Sequence, residues 1–169
     1  MKTIEAILTR RSIRKYTDKP ISEDLINLLL KAAMYAPSAR DCQPWHFVVI
    51  SDRGRLDKLA EIHQYGKMLK QASLAILIAG DKNLEPMEGY INQGCAVATQ
   101  NILLAAHANG LGAVWLGVYP RQERMTGIAN FLELPANIIP ISLVSIGYPN
   151  EVRPQPERFK PERIHYEKW

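Results

Sequence analysis

From Ile4 onward, short amphipathic stretches alternate with short unbroken apolar runs. Thr3 is placed to cap a brief helix from Ile4 to about Thr9. A second helix is better signalled: Pro20 stops the preceding segment, Ser22 is a suitable N-cap, and Glu23 and Asp24 follow in the first turn. Ile21 and Ile26 can form a hydrophobic staple, while Leu25, Leu29, Ala32 and Ala33 share one face. Pro37-Ser38 breaks this helix. Beyond the loop to Pro44, the run Phe47 to Ile50 lacks polar alternation and predicts a strand buried on both faces.

Leu56, Leu59, Ala60 and His63 return to helical spacing, and Leu74 to Ala79 is another apolar strand. Glu88 to Asn109 predicts the longest helix, apolar around most of its circumference from Ala96 to Ala106, so it belongs at the centre or at a subunit interface. Gly110 is placed to end it in a left-handed conformation. Two more strands, Ala113 to Val118 and Ile139 to Ile146, flank a helix of roughly ten residues starting near Arg121. This order predicts an α+β sandwich, with a sheet of about four strands carrying helices on both faces. Asn150 to Trp169 reads as an arm of the same domain (1–149 plus 150–169), since its prolines preclude a long helix. Phe159, Ile164, Tyr166 and Trp169 call for docking on its own subunit or on a partner.

Length and composition narrow the class. A chain of 169 residues, 47% apolar and 22% charged, is one ordinary domain. No apolar stretch approaches the roughly 18 residues of a membrane span. Met1 to Arg11 lacks the apolar core of a secretory signal, so a soluble, cytoplasmic protein is expected. Cys42 and Cys95 have no metal-ligand spacing and read as free thiols, with no metal expected. The net charge of +4 lies wholly in Met1 to Lys19, which holds six basic and two acidic residues. Such a local cluster suits one phosphate, not the long basic stripe that a nucleic-acid backbone requires.

Three segments carry candidate chemistry. Arg10-Arg11-Ser12-Ile13-Arg14-Lys15-Tyr16 puts three guanidinium groups and a hydroxyl within five residues, able to give a phosphate charge-assisted, partly bidentate hydrogen bonds. The loop Pro37 to Phe47 is stiffened at both ends by Pro37 and Pro44; Trp45 within it reads as core and His46 as an edge residue with its own partner. Gly110 to Pro120 is glycine-rich without dinucleotide-fold or P-loop spacing, and Gly117 at a strand end leaves room for a flat ligand against the backbone. Gly147-Tyr148-Pro149 closes the last strand.

Together these segments resemble the nitroreductase family of flavoproteins, in its short members. The similarity runs through Arg10 to Tyr16, Pro37 to Phe47, Gln100 to Gly117 and Gly147-Tyr148-Pro149 into the arm, in order along essentially the whole chain. It implies a three-layer sandwich with a central, mostly antiparallel sheet of four to five strands and a C-terminal arm. It also implies an FMN whose phosphate and ribityl chain are held by Arg10, Arg11, Ser12 and Arg14, with Arg158 as a further phosphate partner. The implied assembly is a homodimer with the flavin ring across the interface. Pro37, Ser38, Ala39 and Gln43 would reach the ring from the other subunit, with Asp41 at its pyrimidine edge, and Leu116 and Gly117 would place a backbone N–H near the flavin N5 atom.

Two positions depart from the family's pattern: Asp41 stands where asparagine is usual, and either Arg40 beside it neutralises it or it turns outward; Gly94 stands where aspartate is common. The implied activity is hydride transfer from NADH or NADPH to FMN and on to a small nitroaromatic, quinone or related unsaturated acceptor, by a ping-pong route. No side chain is named as catalytic, because the flavin carries the chemistry. Alternatives are other chemistry on the same fold (reductive dehalogenation, azoline oxidation, flavin fragmentation) or a flavin-binding module without turnover. A cysteine hydrolase built on Cys42 or Cys95 with His46 or His107 is a remote third reading.

Overall fold

The computed structural model describes all residues, 1–169. Four strands form one antiparallel sheet in the order β1-β2-β4-β3. They are β1 (Trp45–Ile50), β2 (Leu74–Asp81), β3 (Gly112–Gly117) and β4 (Ile138–Gly147), separated by α3 (Arg53–Ile62), α4 (Glu88–Ala108) and α5 (Gln122–Phe131). Helices α1 (Thr3–Thr9) and α2 (Glu23–Met34) precede them. The Ser22 side chain accepts from the Leu25 N–H and caps α2 as expected, with Leu29 and Ala33 fully buried. At α1 the expected cap is displaced by one residue. Lys2 holds the N-cap position and donates its backbone N–H to the Glu5 carboxylate at 3.3 Å, while Thr3 lies inside the helix.

Side chains alternate across β2 into two cores. Leu74, Ile76 and Ile78 face α2 and α4 with Ile91, Cys95, Ala98 and Ile102. Ala75, Leu77 and Ala79 face α3 and α5 with Leu56, Leu59 and Ile128. The result is the expected three-layer sandwich, and it explains why β2 and β4 read as continuous apolar runs: both of their faces are covered. A bulge opposite Ile78/Ala79 leaves Ile141 without a partner on β2, next to Pro140, which has no N–H to give to the ladder.

Strand β1 differs from expectation. It begins at Trp45 and lies at the sheet edge, with His46 exposed and Val49 40% exposed, so it is not buried on both faces. Trp45 packs in the core, and His46 sits 3.4 Å from Asp81. Gly110 ends α4 at φ +75°. The arm is anchored along its first five residues: Asn150 N–H donates to Lys15 O, the Glu151 carboxylate accepts from the backbone N–H groups of Arg14 and Lys15, and Pro154 O accepts from Arg11 Nε. Beyond Glu151 every residue is exposed, including Phe159 (69%), Tyr166 (83%) and Trp169 (99%). Docking of the arm's apolar anchors on its own subunit, one of the two expected alternatives, is therefore not what the fold does. No helix is long and apolar enough to cross a membrane.

Candidate functional site

The Arg10–Tyr16 segment lies along the outer edge of β3. Ser12 bridges to Ala113, and Ile13 N–H donates to Ala113 O at 3.0 Å. The approach is close enough to require glycine at 112, where a Cβ would stand 2.6 Å from the Ile13 side chain. Tyr16 fixes the far end of the segment, its buried hydroxyl 2.7 Å from Ile13 O.

This places a half-buried guanidinium, that of Arg10, in a crowd of like charge. Burial first, then the charges of Arg158 and of Arg11, hold Arg10 below its ordinary value. None of Arg10, Arg11, Arg14 and Arg158 has a carboxylate within 4.0 Å. Arg11 spends its donors on three carbonyls, Leu8 O, Arg10 O and Pro154 O, and so tethers the arm to the end of α1. Nearby His107 bonds Thr9 Oγ1 at 2.8 Å, and burial together with the Arg10 and Arg11 charges lowers its proton affinity. A cationic cluster of this kind is completed by an anion.

The same edge of β3 continues to Gly117. Because Val118 N–H bonds Ile141 O on β4, the alternate residues Ala113, Trp115 and Gly117 turn their backbone groups to the outer edge. From Ala113 to Gly117 is roughly 13 Å at the usual rise per residue, a span matching a phosphorylated ribityl chain with its ring. Gly117 is exposed, and a Cβ there would meet nothing within 4 Å, leaving the flat approach its position suggested. The Leu116 side chain is buried in the second core and its own backbone groups face β4, so Leu116 can serve an edge ligand only through the peptide whose N–H belongs to Gly117.

The Gly117 carbonyl accepts two hydrogen bonds, from His63 Nε2 at 3.0 Å and from Arg124 Nη1 at 2.9 Å. Burial, opposed by the Gly117 bond, holds the imidazole of His63 below its ordinary value, and Nδ1 accepts from Tyr65 N–H. Neither His63 nor Arg124 was among the expected site residues. His63 has helical spacing with Leu59 and reads as packing, and Arg124 stands seven residues past Gly117 on another element.

The Pro37–Gln43 loop is tied to itself: Gln43 N–H donates to Ser38 Oγ at 2.9 Å, Asp41 N–H to Ser38 O, and Cys42 N–H to Ala39 O. Arg40, Asp41 and Gln43 all have left-handed φ, of 53°, 54° and 46°. Three such non-glycine residues together cost about 1 kcal/mol or more each and mark a backbone shaped for something other than its own stability. Pro37, Ser38 and Ala39 line a cavity of about 270 Å³ with Tyr90, Gln93, Gly94 and Val97 of α4. That cavity contains nothing from the Arg10–Arg14 segment. The cavity of about 340 Å³ beside Arg11, Ile13 and His107 contains nothing from the loop.

Of the two arrangements open to Asp41, pairing with Arg40 is not the one formed. Arg40 turns away from it and bonds Glu85 at 2.6 Å, while Asp41 accepts from Gln43 Nε2 at 3.0 Å. Glu85 is 1% exposed, and the Met87 N–H first, then Arg40, hold its carboxyl below the usual range. Cys95 is fully buried, its thiol pushed up to about 12 by burial, and so is no nucleophile.

The nitroreductase family model matches residues 7–66 and 63–148. A Methanothermobacter thermautotrophicus protein provisionally named NADH dehydrogenase/NAD(P)H nitroreductase is 50% identical, the alignment covering all of this chain and 88% of that one. A crystal structure from Parabacteroides distasonis with the same provisional name superposes with a TM-score of 0.95 at 39% identity, covering 99% of this chain and 98% of that one. A provisionally named nitroreductase from Desulfovibrio desulfuricans, crystallised in complex with FMN, superposes at 0.87 with 35% identity, covering 100% and 98%. With the family model spanning most of the chain and relatives of this identity aligned from end to end, the chain belongs to the nitroreductase family.

Proposed function

We propose that this protein is an FMN-dependent oxidoreductase that takes hydride from NADH or NADPH and passes electrons to a small nitroaromatic, quinone or related unsaturated acceptor. One observation carries the reading. The crowded guanidinium groups of Arg10, Arg11 and Arg158, without a carboxylate partner, share an edge of β3 with the open backbone of Gly117. An anionic group and a flat ring, joined by a short chain, fit that edge. Relatives named for FMN binding and for NAD(P)H oxidation support the same assignment.

When bound, FMN supplies the two-electron chemistry, and the protein supplies orientation and electrostatics. Arg10, Ser12, Arg14 and Arg158 hold the phosphate and ribityl chain, with Arg11 adding charge and tethering the arm. Gly117, through the peptide it shares with Leu116, would present an N–H to the ring. Pro37, Ser38, Ala39, Asp41 and Gln43 of the partner subunit close the opposite side. Homodimerisation is supported by the arm's unpacked Phe159, Tyr166 and Trp169, and by the exposed Ile4 and Leu8 of α1 and Tyr90 and Val97 of α4. A cytoplasmic setting keeps both thiols reduced.

The purified protein should show flavin absorption bands near ~375 and ~450 nm, bleached anaerobically by NADH or NADPH and restored by an acceptor, with parallel double-reciprocal lines in the steady state. A protein that takes up no FMN on reconstitution refutes the proposal. One that binds FMN but is reduced by neither nicotinamide is a binding module instead.

A further inference from the structure

Two side chains from separate elements converge on one carbonyl at the end of β3. His63, at the C-terminus of α3, and Arg124, in the first turn of α5, both donate to Gly117 O, at 3.0 and 2.9 Å. A carbonyl oxygen has two lone pairs, so this acceptor is filled. Each donor is itself held. The other ring nitrogen of His63 accepts from Tyr65 N–H at 3.2 Å, which sets the tautomer with the proton on Nε2. The Arg124 guanidinium lies 5.3 Å from the centroid of the Tyr65 ring. His63, Tyr65 and Arg124 thus form a unit gripping the last residue of an edge strand, where no neighbouring strand can do so.

We propose that His63 and Arg124 are positioning residues that set the plane and tilt of the backbone at Gly117, and with it the direction in which the Gly117 N–H meets the flavin N5 atom. The inference rests on the FMN reading above. The physical need is specific. Gly117 is the least restrained residue type, and β4 holds the Gly117–Val118 peptide from one side only, through Val118 N–H and Ile141 O, yet a donor at a reacting atom acts only if held within a fraction of an ångström of its place. Neither side chain touches the cofactor; both act through the Gly117 carbonyl. Gly117 keeps its open face because it has no side chain, and a Cβ there would meet nothing within 4 Å.

The test uses FMN labelled with ¹⁵N at N5, bound to wild type and to Arg124→Met, His63→Leu and His63→Gln. A hydrogen-bonded N5 resonates upfield of an unbonded one. The wild-type signal should be upfield, Arg124→Met and His63→Leu should move it downfield, and His63→Gln, which keeps a donor of similar reach, should restore it. In stopped-flow reduction, the first two should slow hydride transfer on the order of ten- to hundredfold while nicotinamide affinity changes less than about twofold. An unmoved resonance and unchanged rate in Arg124→Met overturn the proposal. So does loss of FMN from that variant with its circular dichroism intact, since Arg124 would then be a binding residue. Should His63→Leu fail to fold, Arg124→Met decides alone. A wild type that holds no FMN removes the flavin reading itself and the grip's purpose with it, an outcome separate from a bound flavin whose N5 ignores both substitutions.

Discussion

Replacing Arg10 by alanine should move the stability of the flavin-free and flavin-bound proteins in opposite directions. In the flavin-free protein, Arg10 is half-buried and held below its ordinary value by burial and by the Arg158 and Arg11 charges, so its charged form is a burden. Removing it should leave the apoprotein as stable as wild type or more so. With FMN present, the substitution removes a charge-assisted hydrogen bond to phosphate, about 1.5–3 kcal/mol, or roughly ten- to hundredfold in affinity. At an FMN concentration of about 100 times the wild-type Kd, the ligand stabilises wild type by about 2.7 kcal/mol. A roughly thirtyfold weaker variant gains only about 0.9 kcal/mol at the same concentration. The difference of about 2 kcal/mol corresponds to some ~4–8 °C of FMN-induced Tm in a domain of this size. Thermal denaturation with and without FMN, together with calorimetric titration of FMN and riboflavin, measures every term. Riboflavin lacks the phosphate and should bind both proteins equally. An FMN affinity within twofold of wild type, or an equal loss for riboflavin, refutes the assignment of Arg10 to the phosphate.

Asp41→Asn should raise the FMN midpoint potential by on the order of 10–50 mV and slow electron transfer to poor acceptors, because it removes a negative charge from beside the reduced flavin. Spectroelectrochemistry at pH 7 checks this, and an unchanged or lower potential means that Asp41 is not at the flavin edge. Deleting residues 150–169 should weaken both the dimer and FMN retention, since it removes Arg158 together with the arm's apolar anchors; analytical ultracentrifugation of a flavin-loaded, full-length protein that proves monomeric at micromolar concentration would contradict it. Glu85→Gln bears on acid stability. Glu85 has a depressed carboxyl, so its contribution is complete above the ordinary value of 4.5 and disappears as pH falls below it. Wild type should therefore exceed the variant in urea midpoint at pH 7, and the gap should narrow progressively as pH falls below the ordinary value of 4.5; a gap that stays constant would show that the Glu85 charge is not what stabilises the loop.

Much of the architecture was legible from local pattern. Ser22 followed by two acids announced α2, the run Leu74 to Ala79 announced a strand, and Gly110 announced the end of α4. These are signals a residue sends about its own backbone and immediate neighbours. The cationic segment was legible for the same reason, because Arg10, Arg11 and Arg14 are nearly contiguous. Strand order was not. The run Phe47 to Ile50 is as apolar as a central strand, but Val49 is left uncovered because β1 takes the outer place beside β2, a choice made by packing of distant elements.

Pairing at the site was likewise decided in three dimensions. Arg40 is adjacent to Asp41 in the chain, yet left-handed backbone at both residues separates their side chains, and Arg40 finds Glu85, 45 residues away. The grip on Gly117 joins α3, β3 and α5 through a main-chain oxygen, and since every residue has a carbonyl, none marks itself in sequence as the one to be held. The amino-acid sequence determined which segments would be helix, strand and cation-rich loop, because those follow from local sterics and hydrophobic periodicity. Only the tertiary structure decided which backbone groups those side chains would reach, because that depends on which ends of the elements meet when both faces of the sheet are buried.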